Sequence, residues 1–202
     1  MTLSQYEISP ARLEDTEVIG KLRAENWYEQ YNGVQGIDPE WVSIQTERTL
    51  NPANTEQRAK AVAESQQPNA HNFWRVVRPT LGSAVVGFVH ASKLDDGSQE
   101  LHSLHVANGH RDHGIGQVLV DAAHEWFDQN VPVFLDVARD NHRAQAFYKR
   151  EPNSYYPTDH TYTFELLSMI RLQRDPWIQS LPSSDSSQIS SVSLSEDSKR
   201  VH

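Results

Sequence analysis

The sequence predicts one α/β domain, mixed α+β in kind, with a mostly antiparallel central sheet flanked by helices and one β-loop-α-β crossover. Three observations carry this. Runs rich in β-branched and aromatic residues, separated by turns that contain glycine, fill residues 73–106 and read as a meander of antiparallel strands. The period then changes at Gly116, where Leu119, Ala122, Ala123, Trp126 and Phe127 share a helical stripe, and a branched-residue strand, Val131 to Val137, follows. Finally, 202 residues suffice for one full core and fall short of the usual length for two domains.

Taken in order, Tyr6-Glu7-Ile8 reads as a short strand. Leu13 to Glu29 reads as an amphipathic helix, with Val18, Ile19, Leu22 and Trp27 at helical spacing after the capping candidate Asp15. Asp38-Pro39-Glu40-Trp41 starts a second helix, since proline is pre-set for a first turn, and the polar, alanine-rich stretch Thr55 to Glu64 suits a third. The meander comprises Phe73 to Val77, Ala84 to Val89 and Glu100 to Val106, with turns at Leu81-Gly82-Ser83 and Asp96-Gly97. After the crossover, Asn141 to Lys149 reads as a helix capped by Asp140 or Asn141, and Tyr162 to Met169 as a last strand. From Ser180 to His202 ten of 23 residues are serine, and no apolar period survives, so this end reads as a disordered tail.

Composition removes several function classes. The longest mainly apolar stretch, Ala84 to Ala91, is far below the roughly 18 residues of a membrane span. No membrane partner is expected. The first residues show neither a secretory nor an organellar pattern, so the expected compartment is the cytoplasm. The absence of cysteine excludes disulfides, thiolate nucleophiles and Cys-based metal sites. A formal charge of -9 opposes a surface that tracks phosphate backbones, and no nucleic-acid partner is expected. Histidines at 102, 105, 110 and 113 raise the question of a metal, but residues 102 and 105 of a regular strand point to opposite faces. No metal is expected.

The chemistry concentrates between Glu100 and Val120. A strand runs into a loop holding Arg111, Gly114 and Gly116, and a helix begins at once. Glycines there let several N–H groups face a ligand, and the helix adds its partial positive charge, which suits a diphosphate. Alone, the pattern is equally that of a tight strand-to-helix turn. The third glycine and acid of a dinucleotide fold are not convincingly placed, and the P-loop pattern is absent.

Arg111-Asp112-His113-Gly114-Ile115-Gly116 resembles the Gln/Arg-x-x-Gly-x-Gly/Ala pyrophosphate loop of the GNAT superfamily of acetyl-CoA-dependent N-acetyltransferases, and follows a matching strand, Leu104-His105-Val106. Asn141-His-Arg-Ala144-Gln-Ala-Phe147-Tyr148-Lys149 resembles that family's second signature, in which Asn and Ala precede Phe-Tyr on a helix. The aromatic stretch Trp27 to Gly33 is similar to the first helix and loop of many members. The likeness covers about Tyr6 to Met169. It departs at Asn108, where the family usually has proline, and at Arg150-Glu-Pro-Asn153, where it usually has Gly-Phe.

The resemblance implies a GNAT-like N-acetyltransferase domain over residues 1–174, followed by the serine-rich tail at 175–202. It implies acetyl-CoA as co-substrate and an amine of a small molecule or peptide as acceptor, joined by direct transfer with general-base assistance. Leu104, His105 and Val106 would pair with the pantetheine arm, and Arg111, Asp112, His113, Gly114, Ile115, Gly116 and Gln117 would hold the pyrophosphate. The Leu104 amide would serve as oxyanion donor, with Asn141 lining the channel and Tyr148 near the sulfur. Glu100 occupies the position from which several relatives supply the base. Alternation on a regular strand puts Glu100, His102, Leu104 and Val106 on one face, which makes His102 the rival. Tyr148 is the candidate acid. Trp27 and Tyr31, four apart, could wall the acceptor pocket or pack in the core. Dimerisation is common in the family, so a homodimer is a further expectation. The alternative is a non-catalytic acyl-CoA-binding sensor or scaffold of the same fold, and a remoter one is a phosphate-ligand protein using the glycine loop alone.

Overall fold

The computed structural model describes residues 5–177; the serine-rich segment from 178 onward lies outside the described residues. Seven strands form one sheet in the order β1-β2-β3-β4-β5-β7-β6. They are β1 (Tyr6–Pro10), β2 (Asn72–Pro79), β3 (Gly87–Lys93), β4 (Gln99–Val106), β5 (Val133–Ala138), β6 (Tyr156–Phe164) and β7 (Leu167–Arg174). Every neighbouring pair is antiparallel except β4 and β5, which the crossover makes parallel. Helices α1 (Thr16–Tyr31), α2 (Pro39–Leu50) and α3 (Pro52–Glu64) precede the meander. Helix α4 (Ile115–Trp126) carries the crossover, and α5 (His142–Lys149) follows β5.

The apolar stripes dictate the layers. Leu119, Val120 and Ala123 of α4 are fully buried against Val77, Val89, Leu101 and Leu135 of the sheet. Ile19 and Leu22 of α1 and Val62 of α3 close over Trp74, Val76 and Phe88 in a second cluster. At roughly 25 cal/mol per Å² of apolar surface, each fully buried Leu or Ile contributes about 1.5–3 kcal/mol, so these two seams hold the helices to the sheet.

Helix α2 starts at Pro39, as the proline implies, and Asp38 caps it by accepting from the Glu40 amide at 2.8 Å. Asn141 accepts from Ala144 at 3.0 Å, which selects it over Asp140 as the cap of α5. Asp15 differs: it makes no side-chain cap, because its carboxylate takes the Arg12 amide and the Arg78 guanidinium instead. Helix α4 stops at Trp126, short of Asn130, where Asp128 folds the chain by accepting from Asn130 and its backbone engages Gln99.

Two expectations about strands are corrected. Tyr162 to Met169 is not one strand but the tip of the β6–β7 hairpin, with the turn at Glu165 and Leu166. Glu165 adopts φ 52° without a glycine, held by Trp41, Gln45 and Arg48 of α2. The second correction concerns β4. Its register against β3 pairs Leu101 with Ala91 and Ser103 with His90, which leaves His102 as the extra residue of a β-bulge. Alternation is therefore reset at His102, and Glu100 and His102 do not share a face with Leu104 and Val106. The bulge also puts His102 and His105 toward the same side, where they rest on His90 and Phe88 respectively.

Beyond the bulge the sheet opens. Strands β4 and β5 pair only at Gln99 with Val133 and Glu100 with Phe134, although β4 continues to Val106 and β5 to Ala138. Among the described residues, the backbone of β4 on that side has no strand partner.

Candidate active site

Two cavities adjoin consecutive parts of β4. The first, about 520 Å³, is lined by Leu104 and Val106, by Arg111, Asp112, Gly114, Gly116 and Gln117 of the following loop, and by Asn141, Ala144, Phe147 and Tyr148 around α5. The second, about 680 Å³, lies among α1–α3 and the sheet centre and is lined by Glu100 and His102, with Trp27, Asp136 and Tyr162.

In the first cavity the loop has the conformation its sequence suggested. Asp112 and Gly114 both take left-handed φ values, 63° and 81°, and Gly114 forms the N-terminal boundary of α4 without a side-chain cap. Among the described residues the amides from Asp112 to Gly116 find no acceptor. Successive N–H groups in such turns form an anion-binding concavity at the positive end of the helix. The Ile115 side chain is buried in the core, so that residue offers only its amide. Gln117 lines the cavity and donates to Asp121 and Asn153, each at 2.8 Å.

Other residues of this region behave differently from expectation. The Arg111 guanidinium turns back into the protein, donating to the Val106 carbonyl at 3.1 Å, Asn26 at 2.6 Å and Glu29 at 2.7 Å. It ties the end of β4 to α1. The His105 ring does not line the cavity; it stacks on Phe88, and burial pushes its pKa down to about 3. His113 also stays out of the lining, and its Nδ1 is buried without a partner among the described residues. Arg143 and Arg150 line the cavity and were not anticipated: Arg143 lies in a motif read for its Asn, Phe and Tyr, and Arg150 in the segment that departs from the family pattern.

Tyr148 is buried against Phe147 and Tyr155, its hydroxyl has no hydrogen-bond partner among the described residues, and burial raises its pKa. The segment 150–153, where the likeness to the signature lapses, returns to the site. The Tyr155 amide donates to the Tyr148 carbonyl at 2.9 Å, and fully buried Asn153 donates to the Phe147 carbonyl at 2.9 Å while accepting from Gln117.

In the second cavity Glu100 is not a solvated charge. Its Oε1 accepts from Arg171 at 3.0 Å, and its Oε2 lies 3.6 Å from His102 Nδ1. Arg171 also holds Asp136, at 2.9 and 2.8 Å, and Tyr162 donates to that carboxylate at 3.1 Å. His102 Nε2 hydrogen-bonds Ser92, its ring lies 4.8 Å from that of His90, and burial lowers its pKa despite the opposing charge of Glu100. His90 stacks on Trp74 at 4.0 Å and is held neutral, with a pKa pushed down to about 3 by burial and by the charges of His102 and Arg23. Arg171, Asp136 and Tyr162 escaped the sequence reading, since only the sheet register places Asp136 directly across from Arg171.

Trp27 and Tyr31 separate. Trp27 lines the second cavity, whereas Tyr31 packs behind it, 4.7 Å ring to ring, in a cluster with Val42, Ala138 and Leu167. Burial and the charge of Asp140 push the Tyr31 pKa up to about 12.

Comparison with known proteins places this architecture. Residues 39–151, from the first residue of α2 past the end of α5, match the model of the acetyltransferase (GNAT) family. The chain belongs to the GNAT acetyltransferase family. GNAT enzymes use acetyl-CoA as co-substrate. The chain is similar in fold to PaiA N-acetyltransferase of Thermoplasma acidophilum, solved with coenzyme A, at 20% identity and a TM-score of 0.67 over 82% of this chain and 97% of that one. It is also similar to the ribosomal-protein-S5-alanine acetyltransferase of Vibrio fischeri, at 12% identity and a TM-score of 0.63 over 86% and 94% of the two chains. A third likeness is to YncA of Salmonella typhimurium, solved with acetyl-CoA, at 14% identity and a TM-score of 0.59 over 89% and 99%. Among curated proteins no match was found. Strands β6 and β7, α1 and thus Trp27, Tyr162 and Arg171 lie outside the matched region. Among the described residues no helix is long and apolar enough to cross a membrane, and no three metal-ligating side chains converge.

Proposed function

We propose that this GNAT protein transfers an acetyl group from acetyl-CoA to the nitrogen of a primary amine, by direct attack. The observation that carries the reading is a pair of cavities lined by successive parts of β4, near the point where β5 parts from it. One cavity offers a phosphate cradle and an apolar channel, and the other offers proton acceptors.

Acetyl-CoA supplies the activated acyl group. The amides from Asp112 to Gly116 hold its pyrophosphate, with Arg143 and Arg150 adding positive charge, and the unpaired β4 backbone at Leu104–Val106 receives the pantetheine as an added strand. Asn141 lines that channel. The Leu104 amide polarises the thioester carbonyl. Arg111 acts through position, by fixing the end of β4 against α1.

An alkyl ammonium, with a pKa of about 10, must lose a proton before it can attack. Glu100 takes that proton on Oε2, the oxygen that Arg171 leaves open. His102, whose lowered pKa keeps it neutral at neutral pH, is the neighbouring acceptor. Attack on the carbonyl carbon forms the C–N bond, collapse breaks the C–S bond, and the thiolate departs beside Tyr148 and takes up the second proton, which the acylated nitrogen releases as it becomes the neutral amide. A phenol with a raised pKa is a weaker acid than a thiol of about 8.5, so Tyr148 stabilises the thiolate by donating a hydrogen bond more than by giving up its proton. Trp27 walls the acceptor cavity.

Release of free thiol from acetyl-CoA, measured against a panel of primary amines, tests this. Acetylation of an amine with stoichiometric thiol release is expected. Tight acetyl-CoA binding without transfer to any amine would favour the acyl-CoA-binding sensor, a reading consistent with the hold that Arg171 has on Glu100.

A further inference from the structure

Among the described residues, two guanidiniums of the second cavity have no carboxylate partner. Arg23 of α1 lines it and makes no hydrogen bond or ion pair with any described residue. Arg58 of α3, 8% exposed, also lines it, and its guanidinium donates only to main-chain carbonyls, of Thr49 at 3.0 Å and Asn54 at 3.4 Å. The third guanidinium, Arg48, is already paired with Glu165 at 3.2 Å. Arg23 is exposed at the mouth of the cavity, whereas Arg58 is a buried charge without a counter-charge, which is costly and is relieved by an anion.

The local construction keeps the two charges together. Gly20, Arg23 and Trp27 lie on one face of α1 by helical spacing, and a methyl group at Gly20 would stand 2.8 Å from Arg58 Nη2. The missing side chain makes the room in which Arg58 lies beside α1. Desolvation by the surrounding protein lowers the pKa of both guanidiniums, and the charge of Arg23 adds to the effect at Arg58. Elsewhere in the lining Glu100 and Asp136 share the guanidinium of Arg171. His102 lies within electrostatic reach of both Glu100 and Arg23. A cavity of about 680 Å³ is of the size that encloses a small molecule.

Resting on the acetyl-transfer reading, we infer that the acceptor is a zwitterion, an amine that also bears a carboxylate, such as an amino acid or a close derivative. Its carboxylate engages Arg23 and Arg58, whose planar donors match it, and its amine is directed to Glu100 and His102.

The test uses the products and their neutral isosteres. The chain saturated with coenzyme A is titrated calorimetrically with N-acetylated forms of the 20 common amino acids and with the matching carboxamides. At least one acid should bind about tenfold or more tightly than its carboxamide, and Arg23→Gln should bring that acid down to the level of the carboxamide. Equal binding of acids and carboxamides, no binding of either, or an Arg23→Gln loss shared equally by both would overturn the inference. Should Arg23→Gln fail to fold, the acid-to-carboxamide ratio of the unaltered chain decides alone. Thiol release separates the two readings. Acids that bind but are never formed from acetyl-CoA would sink acetyl transfer and leave the anion site standing, whereas transfer to bare amines in preference to amino acids would do the reverse.

Discussion

Glu100 presents one carboxylate oxygen to Arg171 and turns the other toward His102, so its substitution separates holding from chemistry. Glu100→Gln keeps the shape and leaves Arg171 its two bonds to Asp136. Turnover should fall by about 10² to 10⁴, the usual contribution of a positioned base, with no change in the dissociation constant of acetyl-CoA. Unchanged amine acetylation would remove Glu100 from the mechanism in favour of His102. Tyr148→Phe removes a hydroxyl that has no protein partner among the described residues, so the melting temperature should hold while kcat drops roughly tenfold. A stability loss with kcat intact would make the phenol a packing group only. At this scale much of the first cavity was legible in sequence, because glycine, arginine and asparagine at fixed spacing imply a particular backbone. The side-chain direction of Arg111 was not legible, since its partners Asn26 and Glu29 lie on a helix more than 80 residues earlier.

At the scale of elements, the site is built by failures of regular pairing. The bulge at His102 reverses the alternation of β4, and the separation of β5 after Phe134 frees the backbone that the pantetheine would use. Neither leaves a trace in a period-2 pattern, which is why Glu100 and Leu104 were expected on one face. The β6–β7 turn was missed for a related reason: Glu165 has no turn signal of its own, and α2 holds it through Trp41, Gln45 and Arg48. The meander, the crossover helix, the start of α2 and the cap of α5 to within one residue were legible because local chemistry determines them. Asn153 tests how the elements are joined. It is fully buried and connects the 150–153 turn to α4 through Gln117 and to α5 through the Phe147 carbonyl. Asn153→Ala should cost about 1–3 kcal/mol by leaving a buried carbonyl and amide unsatisfied, read as a lowered urea midpoint at unchanged slope. A midpoint shift within experimental error would show that the turn is held by backbone bonds alone.

Across the whole molecule three partly buried histidines set a pH limit. His90 and His105 are pushed down to about 3 and His124 to about 4, mainly by burial, from an ordinary value near 6.5. Below pH 6.5 the unfolded chain binds protons that the folded one refuses. Stability is therefore fully present above that value and is lost as pH falls from 6.5 toward 4. Each histidine contributes a slope approaching about 1.4 kcal/mol per pH unit in that window. Denaturant midpoints should fall steeply between pH 6 and pH 4.5, before most carboxylates titrate. A flat profile there would mean that these rings are open to protonation in the folded state.

The central claim, that the loop before α4 and the opened edge of β4 together hold acetyl-CoA, is tested most directly by calorimetric titration of the purified chain with acetyl-CoA, with NADH and ATP as competitors. Saturable one-to-one binding that neither nucleotide displaces is expected. Absence of binding to properly folded protein would make the glycine loop a turn and nothing more, and would contradict the account.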